Sequence, residues 1–140
     1  MLANPPYVRQ ELLGREYNEE GKLKPVFPEV YGGTADLYVY FYARAAQLLR
    51  KGGVGVFISS NKWLRAGYGE KLRQELLDKQ AFDLIVDFGE LPVFKAATFP
   101  AIFVWQQKSR GDQGTTVAII RDLGACYVDG LREHVNPSQG

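Results

Sequence analysis

The residues of this chain best suited to chemistry come almost at once, as Asn4-Pro5-Pro6-Tyr7. Proline carries a carbonyl acceptor but no N–H, and its ring fixes the direction of the chain. The Asn4 side chain offers one carbonyl acceptor and two donors. Tyr7, two residues beyond the first proline, supplies an aromatic plane. These are the parts needed to hold a planar group bearing an amino nitrogen. The Asn4 side-chain oxygen and the Pro5 backbone oxygen each accept one N–H, and Tyr7 covers the ring. Taken alone, the tetrapeptide reads equally as a rigid turn after a strand.

The elements around it must position such a site. Met1-Leu2-Ala3 reads as a strand stub. Residues 4–33 read mostly as loop, broken by proline and glycine pairs, with a short helix at Val8–Leu13. A loop this long in a compact domain points to function. Thr34–Gly53 predicts a helix, with Thr34 as N-cap and Asp36 in the positive first turn. Leu37, Phe41, Ala45 and Leu48 fall on one face, and Gly52 supplies the stop. Val54–Ser59 is a short, nearly all-apolar strand. Gly67–Gln80 predicts a second helix, with Tyr68, Leu72 and Leu76 aligned. Phe82–Phe88, Phe99–Gln107 and Thr116–Asp122 read as further strands, and the Asn136-Pro137 end reads as frayed. The order is that of half a three-layer α/β sheet.

Composition excludes several functions. The chain has 140 residues, 46% hydrophobic and 24% charged, with a formal net charge of +1. These are the values of one globular domain with no global basic field for nucleic acid. A single cysteine, Cys126, excludes an intrachain disulfide, and a single histidine, His134, cannot build a Cys/His metal centre. No apolar run approaches the roughly 20 residues of a membrane span. The start lacks the pattern of a signal peptide, and cytoplasm is the expected compartment.

The ordered series Asn-Pro-Pro-Tyr, then "ADLYVYFYARAAQLLRKGGVGVFISSNKWL", then "LRQELL", then "DFGELPVFKAATFPAIFVW", resembles the amino-methylating DNA adenine methyltransferases. It is most similar to the fused restriction–modification enzymes called type IIG. The resemblance runs from residue 1 to about residue 122. It implies a Rossmann-like S-adenosylmethionine-dependent fold, with double-stranded DNA as partner of the full-length enzyme. It further implies that Asn4 and Pro5 accept hydrogen bonds from the target amino group, with Pro6 completing the loop. Tyr7 would stack on a flipped-out adenine. Phe41 matches a position near the adenine of S-adenosylmethionine, Asp36 would help shape that pocket, and Asn4 would border the cofactor. An aromatic of the last long strand should touch the target base. Trp105 is the choice, with Phe103 and Phe99 as competitors, because alternation puts all three on one face. Asn61 and Lys62 follow a strand where a pocket rim would lie.

The chemistry implied is direct methyl transfer. An adenine amino lone pair is delocalised into the ring, so acceptors that favour a more tetrahedral nitrogen localise it and stabilise the developing positive charge. No covalent enzyme intermediate is needed, which agrees with the lack of a nucleophilic Cys–His pair. The same loop chemistry serves methyltransferases of protein glutamine and of ribosomal RNA, and the fold could also serve a non-catalytic binding module. The Gly-rich turn by which the family binds its cofactor does not occur before Asn4. The expectation is therefore a C-terminal half of a catalytic domain over residues 1–122, with a tail at 123–140 leading to a target-recognition domain. Such a chain alone would be inactive. The apolar Val54–Ser59 strand, short of partners, would expose an edge or face for a homo-oligomer.

Overall fold

The computed structural model describes residues 1–14, 21–95, 98–108 and 114–124. Cys126, His134 and the tail from 125 lie outside the described residues. The strands are β1 (Leu2–Ala3), β2 (Val54–Ser60), β3 (Ala81–Asp87), β4 (Pro100–Gln106) and β5 (Thr116–Ile119). The helices are α1 (Leu23–Val26), α2 (Leu37–Leu48) and α3 (Glu70–Lys79), with short 3-10 turns at Gln10–Leu12, Asn61–Leu64 and Gly67–Gly69.

The five strands form one sheet in the order β1-β2-β4-β3-β5. β1 runs parallel to β2, and β5 runs parallel to β3. β4 is antiparallel to both its neighbours, β2 and β3, and lies between them. This register sets Ser60 opposite Pro100 and Asp87 opposite Ala101. The ends of β1, β2 and β3 and the start of β4 therefore share one edge of the sheet. In mixed sheets of this kind that edge carries the ligand crevice. β2 is interior, paired with β4 along its length and with β1 at Val56 and Phe57. Among the described residues the outer strands are β1 and β5.

The core lies between the sheet and the two longer helices. Phe57, Phe82, Phe103 and Trp105 from the strands meet Tyr38, Tyr42, Leu72 and Leu76 from α2 and α3, all buried. Tyr42 sits at the centre, with ring centroids of Phe57, Trp63, Phe103 and Trp105 between 4.9 and 5.9 Å away. Both helices cover the same face. The opposite face carries Val56, Ile58, Leu84, Ile102 and Val104, each partly exposed, together with the buried Val86.

Helix α2 departs from the sequence pattern in two ways. Its N-cap position is Asp36, not Thr34, and the Asp36 side chain makes no cap bond. Its buried set is Tyr38, Val39, Tyr40, Tyr42, Ala43 and Ala45, while Phe41 and Leu48 are exposed. The tyrosines can go inside because their hydroxyls find partners: Tyr42 with Ser59 at 2.8 Å, Tyr40 with the Gly32 carbonyl at 3.2 Å, Tyr38 with Tyr68 at 2.6 Å. Buried hydroxyls with partners carry little penalty, and the ring supplies a large apolar area.

Two glycines are fixed by close approach. A Cβ on Gly55 would lie 2.4 Å from Trp105 Cζ2, so the indole rests directly on the β2 backbone. A Cβ on Gly69 would lie 2.0 Å from the Trp63 carbonyl oxygen, where the lead-in to α3 crosses the 3-10 turn after β2.

Candidate active site

The Asn4–Tyr7 loop leaves β1 at the shared sheet edge. Pro5 is fully buried and anchors the turn, whereas Asn4 and Pro6 are exposed. Among the described residues the Asn4 side chain has no hydrogen-bond partner. Tyr7 is half-buried, and its ring lies against Phe94, centroids 5.6 Å apart at 57°. The Tyr7 hydroxyl is closed off from solvent without a partner. Burial pushes its pKa up, so the ring stays neutral over the working range of pH and suits stacking.

The chain leaving the loop is bound to the start of α2. The Leu37 N–H donates to the Val8 carbonyl at 3.0 Å, and the Gln10 N–H donates to Asp36 Oδ1 at 3.2 Å. The other carboxylate oxygen of Asp36 accepts from the Tyr68 hydroxyl at 3.2 Å. Asp36, Tyr38, Ser60, Lys62, Thr98 and Arg9 join Tyr7 in lining a cleft of about 170 Å³. Thr98 also lines a second cavity of about 470 Å³, walled by Phe94, Phe99, Glu90 and Lys95. That volume is in the range of small-molecule sites.

The far wall is held by its own hydrogen bonds. Asp87, at the end of β3, accepts at one oxygen from Asn61 Nδ2 and from the Gly89 N–H, both at 2.9 Å. The Asn61 N–H donates to the Phe99 carbonyl at 2.9 Å. Phe99 has a φ of 47°. For a non-glycine residue this left-handed backbone costs about 1–3 kcal/mol, and such strain gathers at functional sites. It turns the Phe99 ring to the cavity, with Lys62 Nζ 5.3 Å from its centroid.

The structure does not bring every expected residue here. Trp105 is fully buried at the opposite end of β4, paired with Gly55 and Phe82 and covered by Tyr42 and Phe57. It cannot meet a base without dismantling the core, so the expectation for it is corrected. Phe103 is equally buried. Phe99, immediately before β4, lines the larger cavity. Phe41 lines neither cavity and is 41% exposed on the outer side of α2. Sequence reasoning missed Phe94 and Tyr68. The available signal for Phe94 was an aromatic just past a strand end in "LPVF"; nothing in the pattern marked Tyr68 beyond its alignment with Leu72.

A sheet with an antiparallel strand inserted between parallel ones, carrying its crevice at the strand ends, is the fold of S-adenosylmethionine-dependent methyltransferases. Two solved structures bear this out. One, from Listeria monocytogenes, is described as a class I S-adenosylmethionine-dependent methyltransferase. It matches with a TM-score of 0.68 at 14% identity, over 96% of this chain and 41% of its own. A type I restriction enzyme modification subunit from Vibrio vulnificus YJ016 matches with a TM-score of 0.70 at 18% identity, over 99% of this chain and 31% of its own.

Residues 1–94 match the Eco57I restriction-modification methylase model, and the chain belongs to that family. The type II methyltransferase M.BanIII of Aneurinibacillus aneurinilyticus is 36% identical over 108 residues, which are 77% of this chain and 18% of that protein. M.BstVI of Geobacillus stearothermophilus is 34% identical over 111 residues, 78% of this chain and 19% of that protein. The chain thus spans about a fifth of the length of these relatives.

Proposed function

We propose that this chain forms the target-base half of a DNA adenine methyltransferase of restriction–modification systems, of the fused type IIG kind, that uses S-adenosylmethionine. The observation that carries the reading is the pairing of two features on one short loop. Asn4 is exposed and unpartnered, and Tyr7 presents a neutral ring braced by Phe94 at the mouth of the cavities.

Asn4 Oδ1 and the Pro5 carbonyl accept the two amino hydrogens of the flipped adenine and hold its nitrogen pyramidal. Pro6 fixes the direction of the loop between them and Tyr7. Tyr7 and Phe99 cover the ring, and Phe94 keeps Tyr7 from turning away. Bases must leave the duplex to reach such a pocket, and stacking holds each by about 1–3 kcal/mol. The cofactor supplies an electrophilic methyl group. The groups of this chain that fit beside it are Asn4, Asp36 next to the cleft, and the exposed ring of Phe41. After transfer the methylated nitrogen gives its extra proton to solvent water, and the displacement needs no covalent nucleophile on this chain.

The test is titration of the chain with 2-aminopurine nucleoside and with a single-stranded oligonucleotide containing it. Saturable quenching is expected, and Tyr7→Ala should weaken it about 5- to 150-fold, the equivalent of 1–3 kcal/mol of stacking. Absence of quenching, or equal quenching by the variant, overturns the reading. The chain by itself is expected to show no methyl transfer from labelled cofactor to adenine-containing DNA.

A further inference from the structure

At the smaller cleft Gln10, Asp36, Tyr68 and Tyr38 form one hydrogen-bonded run. Asp36 is a carboxylate that only accepts, so the Tyr68 hydroxyl spends its proton on Oδ2 at 3.2 Å. The Tyr38 hydroxyl, 2.6 Å from Tyr68, must then donate to it. At the far end, Asp36 Oδ1 accepts the Gln10 N–H at 3.2 Å. The run joins the start of α2 and the lead-in to α3 to the segment three residues beyond Tyr7. Burial raises the pKa of Tyr38 and, to about 12, of Tyr68, so both hydroxyls keep the protons that make the run directional.

We propose that Tyr68 is a positioning residue for the base site. Acting through Asp36, it fixes the Val8–Gln10 segment and so the angle at which Tyr7 meets the base. Tyr68 itself lines neither cavity and has no contact with the bound base. Its effect arises because an aromatic plane displaced by even about 1 Å loses much of its productive geometry. The inference rests on the base-binding reading above, and its test separates the two.

The test uses Tyr68→Phe, Asp36→Asn and the double variant of the whole chain. Tyr68→Phe keeps the ring and its packing and removes only the hydroxyl. Expected is faster hydrogen exchange at the Gln10 amide, together with about tenfold weaker 2-aminopurine binding per folded molecule. The double variant should bind no more weakly than Asp36→Asn alone, because residues acting through one group are not additive. Unchanged Gln10 exchange in Tyr68→Phe overturns the latch, whether or not the wild-type chain binds a base. Faster exchange with unchanged base affinity overturns the positioning role and leaves a purely structural bond. If effects add in the double variant, Tyr68 does not act through Asp36. If the wild-type chain binds no base, the earlier reading fails, and Gln10 exchange still decides the latch.

Discussion

Trp105 offers a direct trial of how this chain divides its aromatics between core and site. The indole is fully buried and lies against the backbone of Gly55, where a Cβ would come to 2.4, 2.5 and 2.8 Å from three of its ring carbons. Phe57, Tyr42 and Phe82 surround it at centroid distances of 5.0, 5.4 and 5.9 Å, so it has nowhere to move. Trp105→Ala should cost about 3–5 kcal/mol, the range for removing a large buried aromatic. Against a total stability of about 5–15 kcal/mol for a domain this is about a fifth or more. Gly55→Ala should cost about 1–3 kcal/mol through overpacking. The two sites share one contact, so Gly55→Ala combined with Trp105→Phe should lose less than the sum of the single changes. Urea unfolding followed by circular dichroism measures all of these. Trp105→Phe, the milder change, should retain 2-aminopurine affinity within about twofold, since it lies at the other end of β4 from Phe99. The reasoning is refuted if Trp105→Phe abolishes base binding while stability stays within about 0.5 kcal/mol, the scatter of an unimportant surface change.

Two further outcomes follow from the site and the core. Asn4→Ala should leave the unfolding midpoint nearly unchanged, because Asn4 is exposed and unpartnered, yet lower methyl transfer about 10²–10³-fold once the chain is joined to the cofactor-binding part of a relative; equal turnover would remove Asn4 from the reaction. Burial raises the pKa of Tyr7, Tyr38, Tyr40, Tyr42 and Tyr68 in the fold. The raised value means the folded state holds its protons more tightly than the unfolded one. That stability is complete below about pH 10, where unfolded tyrosine ionises, and is lost as pH climbs through the folded values, about 12 for Tyr68. Tyrosinate absorbance should therefore rise for these residues together with loss of circular dichroism; full titration near pH 10 with the fold intact would contradict it.

Much of the fold was legible in the chain itself. The apolar runs at Val54–Ser59 and Phe82–Phe88 were legible as strands because they are too short for a helix and rich in β-branched and aromatic residues, and the structure forms strands there over Val54–Ser60 and Ala81–Asp87. Leu72 and Leu76, spaced for a helix, are both buried. The face of α2 was not legible. Scoring by hydrophobicity favours Phe41 and Leu48 over Tyr38 and Tyr42, and only the positions of Ser59, Tyr68 and Gly32 show that the tyrosines can be satisfied inside.

The sequence by itself singled out the loop proposed to bear the chemistry, because Asn-Pro-Pro-Tyr after a strand carries acceptors and a stacking plane within four residues. It also determined the family, since the motifs keep their order along the chain. Only the tertiary structure decided that Phe99 lines a cavity while Trp105 is buried in the core. Phe99 and Trp105 have the same parity in a strand, and a period of two cannot tell one end of a strand from the other. The antiparallel insertion of β4 puts its start, which Phe99 immediately precedes, at the crevice edge and Trp105, its sixth residue, toward the other end. Phe94 and Tyr68 likewise come to Tyr7 and Asp36 across gaps of 87 and 32 residues, distances in sequence over which local pattern carries no information and packing alone sets the neighbour.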